Sequence, residues 1–112
     1  MKIKTNTLTR DALDWAVTSI DYEVNLDEVW RNFRGDCLYS EDWGAAGPII
    51  EREKIGLEHF DDGWYAAITH EDKKYGGVML TGAKGPTPLI AAMRCYVASK
   101  LGDEIEIPED LV

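Results

Sequence analysis

The fold is decided by the stretch Thr87-Pro-Leu-Ile-Ala-Ala-Met-Arg-Cys-Tyr-Val-Ala-Ser-Lys-Leu-Gly102, which carries both a start and a stop signal for a helix. Thr87 suits the N-cap, because its hydroxyl can accept a hydrogen bond from a free backbone N–H of the first turn. Pro88 suits the first helical position, where its missing N–H leaves no bond unmade. Gly102 is a common residue just after a helix, since it tolerates a left-handed backbone. These signals predict a helix over residues 88–101.

This helix has two faces that could pack. At about 100° per residue, one face is a large apolar stripe and the opposite face carries small residues. The stripe consists of Leu89, Met93, Tyr96, Val97 and Leu101. The small residues are Ala91, Cys95 and Ala98, which would let another backbone approach closely. That approach is either a second contact within the chain, for example with the first helix, or a homodimer contact. In both cases Cys95 is predicted to be a small buried apolar residue and not a nucleophile.

Two further helices are predicted upstream. Thr9 is a good N-cap, and the leucines around it stand at the positions of a hydrophobic staple. Apolar residues then recur at helical spacing, which predicts a helix over residues 9–20. Another helix is predicted over residues 48–55, beginning at Pro48 and ending at Gly56, with a loop of small residues before it.

Three short strands between the last two helices predict an antiparallel meander. They cover residues 57–60, 64–69 and 75–81. The turn signals between them are Asp61-Asp62-Gly63 and Asp72-Lys73-Lys74. Residues 82–86 are predicted to form a flexible loop, because they are rich in glycine and end in proline.

The ends of the chain are predicted to be extended. Residues 1–8 are interpreted as an edge strand or an arm, residues 22–26 as a strand with one wet face, and residues 105–107 as a last extended segment. A chain of 112 residues fits one domain, residues 1–112. The predicted fold class is α+β: a small, mainly antiparallel sheet of three or four strands packed by about three helices, similar to an α-β-α sandwich.

The composition is that of a soluble, folded and acidic protein. Hydrophobic residues make up 45 % of the chain and charged residues 29 %, which excludes the composition typical of disorder. The formal net charge of -9 argues against direct nucleic-acid binding, which needs clustered Lys and Arg. About half of the excess of acidic over basic residues lies in the segment 103–110, which is either a solvated acidic tail or a mimic of nucleic-acid charge.

No motif in the sequence predicts a cofactor, a metal site or a membrane anchor. There is no signal peptide and no apolar run of membrane-spanning length, so the chain is expected in the cytoplasm with reduced thiols. Cys37, Cys95, His59 and His70 lack the spacing of metal ligands. His70, which two acidic residues follow, could act as a general base, and His59 has a similar setting. Surface turns explain both patterns, so the chain is predicted not to be an enzyme.

Two loops that lead into helices are the candidate ligand-binding elements. They are Asp42-Trp43-Gly44-Ala45-Ala46-Gly47-Pro48 and Lys84-Gly85-Pro86-Thr87-Pro88. Helix N-termini carry partial positive charge and free N–H groups, so two of them on one side of the domain could hold a small anionic ligand. The candidate ligand-binding residues are Asp42, Trp43, Gly47, Arg52, Gly85, Thr87 and Arg94. The alternative is that these residues serve only the fold. In that case the glycines form tight turns, Trp43 covers the edge of the core, and the arginines pair with acidic residues.

Four blocks of the sequence resemble the NinX-like family of small proteins of lambda-like phages and prophages. They are the segments 8–17, 42–55, 85–102 and 104–111. The resemblance implies a phage or prophage origin and a location in the host cytoplasm, and it carries over no catalytic residue. A fainter likeness to helix–sheet–helix sandwich domains of phages concerns the fold alone. It rests on Tyr39-Ser40 with Asp42, on Trp64, and on Ala92 to Arg94.

Three functions stay open at this point. The leading hypothesis is a non-enzymatic phage accessory protein that binds a host or phage protein, because the sequence combines an acidic composition with no catalytic constellation. The first alternative is a protein that binds or sequesters a small anionic nucleotide used in host defence. The second alternative is an acidic mimic of nucleic acid.

Overall fold

The computed structural model describes residues 2–21, 39–71, 76–107 and 109–111 of the chain. Within them, five strands and three α-helices follow one another, with short 3-10 turns at Thr5–Thr7 and Glu109–Leu111. The elements are β1 Lys2–Lys4, α1 Arg10–Asp21, α2 Trp43–Glu53, β2 Gly56–Phe60, β3 Gly63–Glu71, β4 Val78–Gly85, α3 Pro88–Leu101 and β5 Glu104–Glu106. The strand predicted over residues 22–26 and the turn predicted at residues 72–74 lie outside the described residues.

The predicted meander is confirmed as a three-stranded antiparallel sheet in the order β2-β3-β4. Phe60 pairs with Gly63, so Asp61 and Asp62 form a two-residue hairpin loop. The prediction of a flexible loop over residues 82–86 was wrong, because β4 continues to Gly85 and pairs along its length with β3. Glycines weaken a strand but do not end it when the neighbouring strand supplies the hydrogen bonds.

Helix α3 lies on one face of this sheet and is the centre of the core. Thr87 caps it as predicted, with its hydroxyl accepting a hydrogen bond from the Ile90 N–H at 3.2 Å. The small-residue side of α3 faces β4. Ala91 and Cys95 are fully buried there, and a Cβ on Gly85 would lie 2.6 Å from the Ala91 backbone nitrogen. The close approach expected of the small residues is therefore made inside the chain, by the end of β4.

Helix α1 begins at Arg10, directly after Thr9, and packs against α3. Leu8 and Leu13, which flank the start of the helix, are both buried in the core. Asp14 is also buried, and its carboxylate accepts a hydrogen bond from the Ser40 backbone N–H at 2.9 Å. This bond ties α1 to the segment that leads into α2.

Helix α2 begins earlier and ends earlier than the predicted span of residues 48–55. Asp42 is its N-cap, because the Asp42 side chain accepts a hydrogen bond from the Gly44 N–H at 2.8 Å. Pro48 therefore stands inside the helix, where it removes one backbone hydrogen bond, while Ala46 and Ile49 are buried in the core. At the other end Lys54 takes the left-handed conformation expected of Gly56, so that Gly56 is free to open β2.

The two ends of the chain form a second, separate sheet. Strands β1 and β5 pair antiparallel, and the register places Lys2 opposite Glu106 and Lys4 opposite Glu104. Thr5 then fastens this sheet to the end of α3, with its hydroxyl donating to the Gly102 carbonyl at 2.6 Å. The α+β class is confirmed, with the extended ends forming their own two-stranded sheet rather than a fourth strand of the meander. Among the described residues, no helix has both the length and the apolar character needed to cross a bilayer.

Candidate functional site

The N-termini of α2 and α3 lie side by side, as the two-loop hypothesis requires. Trp43 and Thr87 line one surface depression of about 500 Å³, together with Ser40 and Glu41. Trp43 is 54 % exposed and forms part of its wall. Both N-cap side chains, Asp42 and Thr87, accept hydrogen bonds from their own helices.

The charge of this depression opposes an anionic ligand. The Glu41 side chain lines it, and the buried Asp14 carboxyl lies directly behind Ser40. Burial raises the pKa of Asp14 from 3.8 to about 6, with the nearby Glu41 carboxylate acting in the same direction. A carboxylate in and behind the depression offsets the partial positive charge of the helix ends.

Two of the candidate ligand residues lie away from this depression. Gly47 sits in the middle of α2, with open space where a Cβ would be. Arg52, in the last turn of α2, donates to the Tyr96 hydroxyl at 2.8 Å and to the Glu53 carboxylate at 3.1 Å. Its guanidinium also stands 5.7 Å from the centre of the Tyr96 ring. Arg52 therefore connects α2 to α3.

Gly85 and Arg94, the other two candidates, line a different and larger cavity of about 760 Å³. It lies at the end of the sheet, between the hairpin loop of β2 and β3 and the final residues of β4. Its aromatic walls are Phe60, Trp64 and Tyr65. Lys84 and Arg94 supply its positive charge, and Asp62 is the one carboxylate among its described lining residues.

Arg94 is held by two neutral acceptors. Its Nε donates to the Leu8 carbonyl at 2.8 Å and its Nη1 donates to the Lys84 carbonyl at 2.9 Å. The side chain is partly buried, and this burial lowers the pKa of Arg94. No carboxylate within the described part of the chain pairs with Arg94.

A second cavity, of about 460 Å³, adjoins the first along the free edge of β4. The two cavities share Asn6, Gly82, Ala83 and Arg94. The far end of the smaller cavity is lined by Asp103 and Glu104, beside Lys4. Arg94 thus stands between an aromatic, positively charged space and an acidic one.

Sequence reasoning identified Gly85 and Arg94 but missed the aromatic wall. The predicted turn at Asp61-Asp62-Gly63 was a usable signal, because it brings the strand that ends at Phe60 beside the strand that contains Tyr65. In the structure their rings meet edge to face, 6.3 Å apart. A Cβ on Gly82 would collide with the Tyr65 ring, so the glycine lets this ring lie across β4.

The other face of the three-stranded sheet carries exposed apolar side chains. Ala66, which pairs with Ala83, is buried on the α3 side. The alternation of a strand puts Phe60, Val78 and Leu80 on the opposite side, where they are 46 %, 70 % and 63 % exposed. No described helix covers this face, which we call the open sheet face.

The described residues that were considered for catalysis make packing contacts and hydrogen bonds within the fold. The His59 ring packs on Trp64, with the ring centres 4.9 Å apart. The Cys95 thiol is buried and donates to the Thr81 carbonyl, and burial raises its pKa to about 11. Cys37 and the side chain of His70 lie outside the described residues. Within the described ranges, no group of three His, Cys, Asp or Glu side chains could hold a metal ion.

Comparison with known proteins gives one family match. The model of the family described as bacteriophage P22 NinX matches residues 4–100 of the 112-residue chain. No curated protein matches the chain. The matched span begins in β1 and ends in the last turn of α3, so it includes every described element except β5 and the final 3-10 turn.

Proposed function

We propose, since the chain belongs to the NinX family of bacteriophage proteins, that it is a non-enzymatic binding protein that docks a host or phage protein. The proposed place of action is the host cytoplasm, and the proposed docking surface is the open sheet face. The observation that carries this proposal is the pair of exposed apolar side chains Val78 and Leu80 on the open sheet face.

The energetic argument is one of burial. Fully covering a side chain such as Phe or Leu contributes roughly 1.5–3 kcal/mol. Exposed apolar surface often marks an interaction site in a soluble protein. Val78 and Leu80 are neighbours on this face, whereas the strand register places Phe60 at the opposite end of the sheet. Val78 and Leu80 stand two residues apart along β4 and therefore point to the same face, so one flat partner surface can cover both.

The charge of the chain indicates the chemistry of the partner. The whole chain carries a formal net charge of -9. The exposed acids Glu58, Asp61 and Asp62 lie with Lys84 at the end of the sheet away from Val78 and Leu80. We therefore expect a basic partner with an apolar patch, because complementary charge accelerates encounter and fixes orientation.

Two observations support a non-enzymatic role. A thiol needs to ionise to act as a nucleophile, and the buried Cys95 has a pKa raised to about 11. His59 packs on Trp64, and no carboxylate of the described residues forms a hydrogen bond or ion pair with it that would orient it as a base.

The acidic mimic is less well supported than protein docking. Glu104 and Glu106 belong to β5, and each stands opposite a lysine of β1. Cross-strand pairs of opposite charge offset one another locally. This part of the acidic tail is therefore not a free run of negative charge.

Affinity capture with matched variants tests the proposal. Wild type, Leu80→Lys and Leu101→Lys would each be used as bait in a lysate of phage-infected host cells. Leu101 is the control, because it is 44 % exposed but lies at the end of α3. We expect a protein that the wild type and Leu101→Lys retain and that Leu80→Lys loses at least tenfold, as an interface charge without a partner predicts. Equal recovery by all three baits would refute docking on this face, and recovery of nothing above background would refute the proposed function.

A further inference from the structure

We propose that the larger cavity beside Arg94 is a binding site for a small anion that carries a flat ring, of the class of a nucleoside monophosphate. In this site Arg94 and Lys84 hold the anionic group, and the ring lies against the aromatic wall formed by Phe60 and Tyr65. The site is separate from protein docking at Val78 and Leu80, although Phe60 borders both surfaces.

The first reason is the uncompensated charge of Arg94. A guanidinium has five N–H donors, and the two hydrogen bonds to the Leu8 and Lys84 carbonyls use two of them. Carbonyl oxygens carry no net charge, and charges that leave water are normally paired. The chain has 21 Asp and Glu against 12 Lys and Arg, so carboxylates are the abundant partner. Within the described residues, Arg94 nevertheless pairs with none of them.

The second reason is the distribution of charge around Arg94. Besides Arg94, the smaller cavity is lined by one cation, Lys4, and by two carboxylates, Asp103 and Glu104, so it attracts an anion less than the larger cavity does. The larger cavity has Lys84 in addition to Arg94, and Asp62 of the hairpin loop is the one carboxylate among its described lining residues. An anion that reaches Arg94 is therefore directed into the larger cavity.

The third reason is the shape and chemistry of that cavity. A volume of about 760 Å³ lies within the range of sites for small organic molecules. Phe60 and Tyr65, whose rings meet edge to face on the same side of the sheet, offer a stacking surface for a planar ring, as in sites that bind single nucleotides or bases. Arginine can bind phosphate with two parallel hydrogen bonds, which matches the donors that the two carbonyls leave unused.

Calorimetric titration with three probes tests each half of the site. The probes are adenosine 5′-monophosphate, adenosine and inorganic phosphate, each added to the full chain at low salt. We expect the monophosphate to bind and each of the two fragments to bind at least about tenfold more weakly, because each lacks one of the two sets of contacts.

Two variants and a control connect binding to the cavity. Arg94→Gln should weaken the monophosphate at least about tenfold, since a charge-assisted hydrogen bond is lost. Because Arg94 also holds two carbonyls, Lys84→Gln provides an independent variant at an exposed position. It should weaken the monophosphate about threefold or more. Lys100→Gln, which removes a cation at the far end of α3, should stay within about twofold of the wild type.

Several results would overturn the proposal. The first is the absence of any binding heat when the monophosphate is added to the wild type at up to about 10 mM, a limit beyond any useful affinity. Unchanged binding by Lys84→Gln and by a folded Arg94→Gln would place the ligand elsewhere. If inorganic phosphate bound as tightly as the monophosphate, the proposed ring contact would be ruled out. If adenosine bound as tightly, the proposed contact with the anionic group would be ruled out. The Leu80→Lys variant should bind the monophosphate like the wild type, so this site and the protein-docking surface can fail independently.

Discussion

Replacing Asp14 with Asn should change how the stability of the protein depends on pH. The Asp14 carboxyl is 3 % exposed, and its Oδ1 accepts the Ser40 N–H at 2.9 Å. Burial raises its pKa from 3.8 to about 6, and the negative charges of Glu41 and Asp11 raise it further, against the hydrogen bonds from Ser40. Asn keeps an oxygen that can accept the same N–H and carries no charge at any pH.

The sign follows from which state holds the proton more tightly. The folded pKa of Asp14 is the higher one, so between pH 4 and 6 the folded chain binds a proton that the unfolded chain releases. The stabilising contribution of Asp14 is therefore complete below about pH 4 and is lost as the pH rises through 6. A difference of about two pKa units corresponds to about 3 kcal/mol, which is an upper bound for the effect at neutral pH.

Urea unfolding followed by tryptophan fluorescence, repeated from pH 4 to 8, measures this effect. Asp14→Asn should match the wild type at pH 4 and become more stable by about 2–3 kcal/mol at pH 7.5. Taking the difference between the two proteins cancels the titration of every other group. Asp14→Ala is the control, because it removes the acceptor and should lose roughly 1–3 kcal/mol against Asp14→Asn at pH 4. A difference between wild type and Asp14→Asn that stays constant across this range would refute the reasoning.

Four further changes test the fold. Lys54→Gly should stabilise the protein by about 1 kcal/mol and raise Tm by about 4 °C in calorimetry, because Lys54 has a left-handed backbone with φ 54°; an unchanged Tm would contradict this C-cap geometry. Gly47→Ala should stabilise by about 0.5–1 kcal/mol in urea unfolding, because it adds a better helix former in open space. Gly85→Ala should destabilise by about 1–3 kcal/mol in the same assay, because its Cβ would meet the α3 backbone at 2.6 Å; similar effects of the two alanines would contradict the packing of β4 on α3. In a Cys37→Ser background, Cys95 should resist iodoacetamide at pH 8 until the chain is denatured, because its thiol is buried and un-ionised; labelling of the folded protein would contradict its burial.

Helices with clear capping residues could be predicted from the sequence. The exact start of a helix could be predicted only where a single start signal was present. Thr87 with Pro88 has no competitor nearby, and α3 has the predicted bounds. The start of α2 was predicted at Pro48, because proline suits a first helical position. The helix instead begins at Trp43 with Asp42 as its cap, and burial of Ala46 and Ile49 supports this earlier start.

Individual residues of the candidate site could be predicted from the sequence, but their spatial neighbours could not. The prediction that the two helix N-termini share one side of the domain is consistent with the depression that Trp43 and Thr87 line. The surroundings of Arg94 could not be predicted, because its acceptors at Leu8 and Lys84 are 86 and 10 residues away in the sequence. Contacts between distant segments depend on how the sheets and helices close on one another, which local patterns do not specify.

The same two hydrogen bonds bear on why Arg94 is an arginine. They connect the start of α1 and the end of β4 to α3, which is a structural role that any donor of suitable length could fill. A neutral donor would fill it without bringing a charge into a partly buried position, where desolvation lowers the pKa of Arg94. Connecting these segments therefore accounts for the hydrogen bonds but not for the charge. An anionic ligand in the adjoining cavity accounts for both, because it would supply the negative charge that the two neutral carbonyls lack.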